Sequence, residues 1–128
     1  MIALLCGGRE YFFTLADYAW LDTFATEHDV WELVTGGASG ADTNGQQWAS
    51  KRGIETVIFP ANWRKYGRSA GFKRNQRMLT YLQYAGMRDN APIGVIGMPG
   101  GVGTRMMCAL AQDAGVMVYA PGTVVAHA

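Results

Sequence analysis

Charge is scarce in this chain. Asp, Glu, Lys and Arg supply 16% of its 128 residues, against about 25% in an ordinary soluble domain. Eleven basic and ten acidic residues leave a formal charge of +1. A field that weak excludes bulk electrostatic attachment to nucleic acid, though not a local basic patch. Cysteine is scarcer still. Cys6 and Cys108 are too few for a disulfide framework, so both are read as structural thiols of a reduced, cytoplasmic chain. His28 and His127 stand alone, away from either cysteine, so no metal site is expected, and no cofactor either. No apolar run approaches the roughly 20 residues that cross a bilayer, so no membrane partner is expected. The opening MIALLCGGRE lacks the basic start of a signal peptide. No Ser/His/Asp arrangement suggests a nucleophile.

Glycine, by contrast, is abundant, with 17 residues. The glycines do not form a flexible linker but fall in three groups: Gly7-Gly8, Gly36-Gly37 with Gly40, and Gly97 with Gly100, Gly101 and Gly103. Each follows a short apolar run of the length of a buried parallel strand, and each precedes a segment with helical spacing. The pattern predicts strands at 2–6, 31–35, 55–59, 93–97 and 116–119. It predicts helices at 13–26, 41–52, 70–85 and 103–114, with a loop over 61–69. Asn44-Gly45 also signals a hairpin, but its flanks do not alternate, so it is kept in the second helix as a site of close packing or ligand approach. Strand, glycine turn and helix in alternation give an α/β class: a single Rossmann-like three-layer domain with a mostly parallel sheet of about five strands flanked by helices. Its span is read as 1–120, with a short tail at 121–128.

Open α/β sheets bind ligands at the carboxyl ends of their strands, where glycine turns entering helices present N–H groups to anions. The segment from Thr35 to Asp42 is one such turn. Gly36 and Gly37 let backbone approach an anion, Ser39 is suited to capping the helix or donating a hydroxyl, and Asp42 to meeting a ribose hydroxyl or base edge. The segment from Pro99 to Thr104 is a second, with Gly100, Gly101 and Gly103 for close contact and Thr104 for phosphate. It is neither a P-loop nor the dinucleotide fingerprint after a first strand, which weakens nucleoside-triphosphatase and ordinary dehydrogenase readings. A third feature is one-sided charge. No acid lies between Glu55 and Asp89, while Arg64, Lys65, Arg68, Lys73, Arg74 and Arg77 are interleaved with Trp63, Tyr66 and Phe72. Such a stretch suits an anionic ligand. Basic residues among aromatics also fit single-stranded nucleic acid.

Five segments in order carry a family resemblance. They are Gly7-Gly8-Arg9-Glu10-Tyr11; Gly36 to Asp42 with Trp48-Ala49; Pro60-Ala61-Asn62-Trp63 with Tyr66-Gly67; Ala70 to Asn75 with Met78; and Pro99 to Thr104. Together they resemble the YspA-type, cpYpsA-related branch of the SLOG superfamily, over about residues 1–120. The resemblance implies a Rossmann-like fold that binds nucleotides or nucleotide-derived ligands, a bacterial or phage source, and a homo-oligomer of two or more chains with Trp63, Tyr66 or Tyr84 as anchors. In the related LOG phosphoribohydrolases, which cleave the N-glycosidic bond of a nucleoside monophosphate, a similar glycine motif continues to a glutamate three residues after the threonine. Here that position is Met107, which can neither stabilise a ribose cation nor activate water. Arg74-Asn75 with Met78 is similar to the helical arginine motif of the same relatives. The implied ligand site comprises Gly7, Gly8, Arg9, Gly36, Gly37, Ser39, Asp42, Arg64, Arg74, Asn75, Gly100, Gly101, Gly103 and Thr104. Its expected use is to sense or sequester a nucleotide-derived molecule, an ADP-ribose-like or cyclic species. A nucleotide N-glycosidase, with Asp42 or Glu10 replacing the missing acid, is the alternative, and a single-stranded nucleic-acid binder the next.

Overall fold

The computed structural model describes residues 1–122. From residue 123 on, the expected tail, and His127 with it, lie outside the described residues. Five strands form one all-parallel sheet: β1 (Ile2–Cys6), β2 (Glu32–Thr35), β3 (Glu55–Ile58), β4 (Ile93–Gly97) and β5 (Val118–Tyr119). Their order is β3-β2-β1-β4-β5. The chain builds outward from β1 to β3 and then returns to β4 on the other side of β1. The direction of winding therefore reverses between β1 and β4, which is where open α/β sheets leave a crevice.

Alternation along β1 divides the core. Ala3 and Leu5 face one layer, with Leu21, Phe24 and Ala25 of α1 (Leu15–His28) and Ala41, Trp48 and Ala49 of α2 (Ala41–Lys51). Ile2, Leu4 and Cys6 face the other, with Met78, Leu82 and Ala85 of α4 (Ala70–Asp89) and Met107 and Ala111 of α5 (Val102–Asp113). Burying each large aliphatic side chain contributes about 1.5–3 kcal/mol, so a central strand buried along its whole length anchors both layers. No described helix is long and apolar enough to cross a membrane.

Helix starts follow local chemistry. α1 begins two residues later than the pattern suggests because Thr14 and Asp17 close a capping box: the Thr14 hydroxyl accepts from Asp17 N at 3.1 Å and the Asp17 carboxylate from Thr14 N at 2.9 Å. Gly45 does lie inside α2. A β-carbon there would come within 3.0 Å of Leu5, so the glycine sets how closely α2 packs on β1. Ser39 does not cap α2. Gly40 is its N-cap residue, without a side-chain hydrogen bond, and the Ser39 hydroxyl donates instead to Arg9 O at 3.1 Å. The expected loop over 61–69 contains a single turn, α3 (Trp63–Tyr66), and a 3₁₀ turn (Gly67–Ser69). Asn62 starts α3 by accepting from Lys65 N at 3.0 Å, local side-chain chemistry that carries no hydrophobic periodicity. α4 continues four residues past the expected end, and β5 is shorter than expected at two residues.

Candidate functional site

Three glycine-bearing turns leave β1, β2 and β4 at the same sheet edge and enclose a cavity of about 420 Å³. Its walls come from Cys6 to Arg9 after β1, Ala38 and Asp42 at the start of α2, and Gly101 to Thr104 with Met106 at the start of α5. Trp63, Arg68, Phe72, Arg74, Asn75 and Met78 close the remaining side. A second hollow of about 250 Å³ adjoins it, lined by Gly36, Gly37, Ser39, Pro60 and Ala61. Arg9, Ala38, Trp63 and Arg74 line both. The Arg9 guanidinium lies over the Trp63 ring, 5.0 Å from its centroid, so a cation–π pair stands between the two spaces.

Arg74 is held by backbone and by the absence of a side chain. Its Nη1 donates to Gly36 O at 3.3 Å, and a β-carbon on Gly36 would approach its Nε to 2.9 Å. Nε itself is buried and, among the described residues, has no hydrogen-bond partner. A buried guanidinium N–H without an acceptor is costly, and burial lowers the guanidinium pKa from its ordinary value, with Asp42 opposing that shift. Asp42 is buried in the first turn of α2 and accepts from Ala38 N at 3.2 Å. Burial pushes its carboxyl above the usual carboxylate range, against the pull of the Ala38 and Gly36 amides and of Arg74 and Arg9. Among the lining residues Asp42 is the one carboxylate. Glu10 is exposed and borders a separate open groove.

The structure brings Gly7, Gly8, Arg9, Asp42, Arg74, Asn75, Gly101, Gly103 and Thr104 to the main cavity. Gly36, Gly37 and Ser39 line the adjoining hollow, and Gly100 the outer groove with Gly8, Arg9 and Gly101. Arg64 stands exposed on α3 and lines none of these spaces. Two expected backbone donors are already engaged: Gly8 N–H donates to Pro99 O at 2.8 Å and Gly37 N–H to the Thr35 hydroxyl at 3.2 Å. The Asn75 amide donates to Gly103 O at 3.1 Å and ties α4 to α5. α5 starts without a side-chain cap, so the first-turn amides of an unsupplemented helix N-terminus adjoin the cavity.

The basic stretch divides between two faces. Arg68 and Arg74 turn to the cavity. Lys73 lies over Tyr66 at 4.9 Å and Arg77 over Phe59 at 5.5 Å, along an outer groove of α4. Cys6, read from the sequence as a structural thiol, lines the cavity, as do Met106 and Trp63, the latter named both in the basic, aromatic stretch and among the interface anchors. Spacing offers one usable signal: Met106 sits two residues after Thr104, one residue before the fully buried Met107. Neighbouring helix positions are about 100° apart, so only one of the two methionines can face the core. The position that carries glutamate in LOG relatives is therefore core here, packed in the layer of Leu4 and Val95.

A family model described as YAcAr, the YspA, cpYpsA-related SLOG family, matches residues 1–66. The chain belongs to this SLOG family. The match covers half the chain and holds two of the three glycine turns, with Asp42 and Trp63. The third turn and Arg74 lie beyond it, and the fold brings them to the same cavity. No curated protein matches the chain. SLOG membership suggests, in general terms, binding of a nucleotide-related ligand.

Proposed function

We propose that this SLOG protein binds a nucleotide-derived small molecule in the cavity at the carboxyl edge of its sheet and acts by sensing or sequestering it, an ADP-ribose-like or cyclic species being the expected class. The observation that carries the reading is the Arg74 guanidinium, tied to Gly36 O and lining both hollows. A phosphate there would accept from the cavity-facing side of its guanidinium, with charge-assisted support from Arg9 and Arg68 and from the α5 N-terminus. Thr104 would donate its hydroxyl to the same group, and Asp42 would accept from ribose hydroxyls. The cavity size falls in the range of small-molecule sites, about 300–1,000 Å³.

Calorimetry against nucleoside monophosphates, cyclic nucleotides and ADP-ribose tests this. Saturable binding with the ligand recovered intact is expected. An absence of heat across the panel, or rapid consumption of any ligand that binds, would remove the reading. A hydrolase is the second reading, and the observation that favours it is Asp42: a buried carboxyl with a raised pKa is the type of group that protonates a leaving base or activates water. Chromatography of nucleoside monophosphates after incubation decides it, with release of free base expected only if Asp42 is intact. Assembly into a homo-oligomer is part of the proposal, with exposed Tyr84 and Met87 of α4 as its anchors. Light scattering that returns a monomer would withdraw that part.

A further inference from the structure

The two cysteines meet. Cys6 ends β1 and its register partner on β4 is Gly97. Gly97 has no side chain, and the Cys108 sulfur of α5 lies 3.0 Å from where its β-carbon would be. Cys108 thus reaches down onto the residue beside Cys6, on the sheet face to which Cys6 points. Both are free, and they differ in setting. Cys6 is buried, donates its S–H to Ile96 O at 3.7 Å and borders the main cavity. Cys108 is half-buried, within reach of a small oxidant. The Cys6 thiol at its side lowers the Cys108 pKa to about 7, which favours the thiolate. Burial and the neighbouring sulfur raise Cys6 instead. One sulfur is a nucleophile and the other a proton-bearing partner at its side, the division of labour of an attacking and a resolving thiol.

We propose that Cys108 and Cys6 form an oxidation site that converts hydroperoxide into an intramolecular disulfide. The Cys108 thiolate attacks the outer peroxide oxygen. The O–O bond breaks as an S–O bond forms, and the displaced oxyanion takes a proton from solvent to leave as water or alcohol. Cys6 then loses its proton and attacks the Cys108 sulfur, forming the S–S bond and releasing hydroxide, which that proton neutralises. Two electrons pass from the two thiols to the peroxide. Cys6 directly precedes Gly7-Gly8, so the bond ties the cavity wall to α5. The thiol chemistry itself stands independently of which ligand the cavity takes.

Treatment of the full chain with hydrogen peroxide at neutral pH, followed by intact mass, thiol titration and trapping with dimedone, tests this. Wild type is expected to lose both titratable thiols and two hydrogens in mass, reversibly with dithiothreitol and without cross-linked dimers. Cys6→Ser is expected to stall with a dimedone adduct on Cys108. Cys108→Ser is expected to react about tenfold more slowly or less. An unchanged wild-type mass, a disulfide found only between chains, or a Cys108→Ser chain that consumes peroxide at the wild-type rate would overturn the proposal. Peptide mapping of the wild-type disulfide decides the pairing even if a serine variant folds poorly.

Discussion

Arg74→Ala tests the site most directly. In the folded chain the guanidinium donates Nη1 to Gly36 O at 3.3 Å and carries two costs, a partly desolvated charge and a buried Nε without a partner among the described residues. A hydrogen bond from a charged group contributes about 1.5–3 kcal/mol and an unsatisfied buried donor costs about 1–3 kcal/mol. These nearly cancel, so stability should change by less than about 1 kcal/mol. Binding is different, because an anion in the cavity that Arg74 lines gains a charge-assisted hydrogen bond that alanine cannot make. Losing that interaction should weaken binding by about 1.5–3 kcal/mol, roughly 10- to 150-fold in Kd. Arg74→Lys keeps the charge but offers no planar fork of donors, and should recover only part of the loss. Calorimetry with the tightest ligand of the panel, beside thermal unfolding of both variants, reads the two effects separately. An unchanged Kd, or a loss of binding matched by a comparable loss of stability, would refute the assignment.

Gly36→Ala should displace Arg74, since the added carbon would sit 2.9 Å from its Nε; a binding loss approaching that of Arg74→Ala, with about 1–3 kcal/mol of destabilisation, is the expected outcome by calorimetry and denaturant titration. Met107→Glu should not restore a hydrolase. Met107 is fully buried in an apolar layer, so an unpaired carboxylate there should cost about 3–5 kcal/mol, and a stable, nucleotide-cleaving variant would contradict that placement. Asp42 has a sign that acid titration can read. Its carboxyl is raised above 3.8 by burial, so the folded chain holds that proton more tightly than the unfolded one, and stability falls as pH rises through the interval above 3.8. Asp42→Asn should therefore be more stable than wild type at neutral pH, by about 1 kcal/mol, with the advantage fading in acid; an advantage that grows in acid would refute the burial argument.

The strand–turn–helix rhythm was legible from the start because each buried strand must be apolar and each glycine turn must break it. β1 and β4 fall where their apolar runs end, at Cys6 and Gly97. Less legible were features that depend on one side chain meeting another far along the chain. Ser39 turns to the Arg9 carbonyl rather than to its own helix. Lys73 and Arg77 face an outer groove while Arg74 faces the cavity, because α4 is a cylinder and consecutive residues diverge by about 100°.

The order of apolar runs and glycines determined the α/β class and the edge at which the turns gather, since these follow from backbone sterics and helical spacing. Tertiary structure decided what no spacing encodes: that Arg74 keeps an N–H buried without an acceptor among the described residues, that Asp42 and not Glu10 is the cavity's carboxylate, that Met107 is core, and that Cys6 and Cys108 touch. Gly36 and Arg74 are 38 residues apart, and Cys6 and Cys108 come from β1 and from the helix after β4; the parallel pairing of β1 with β4 brings such distant segments together.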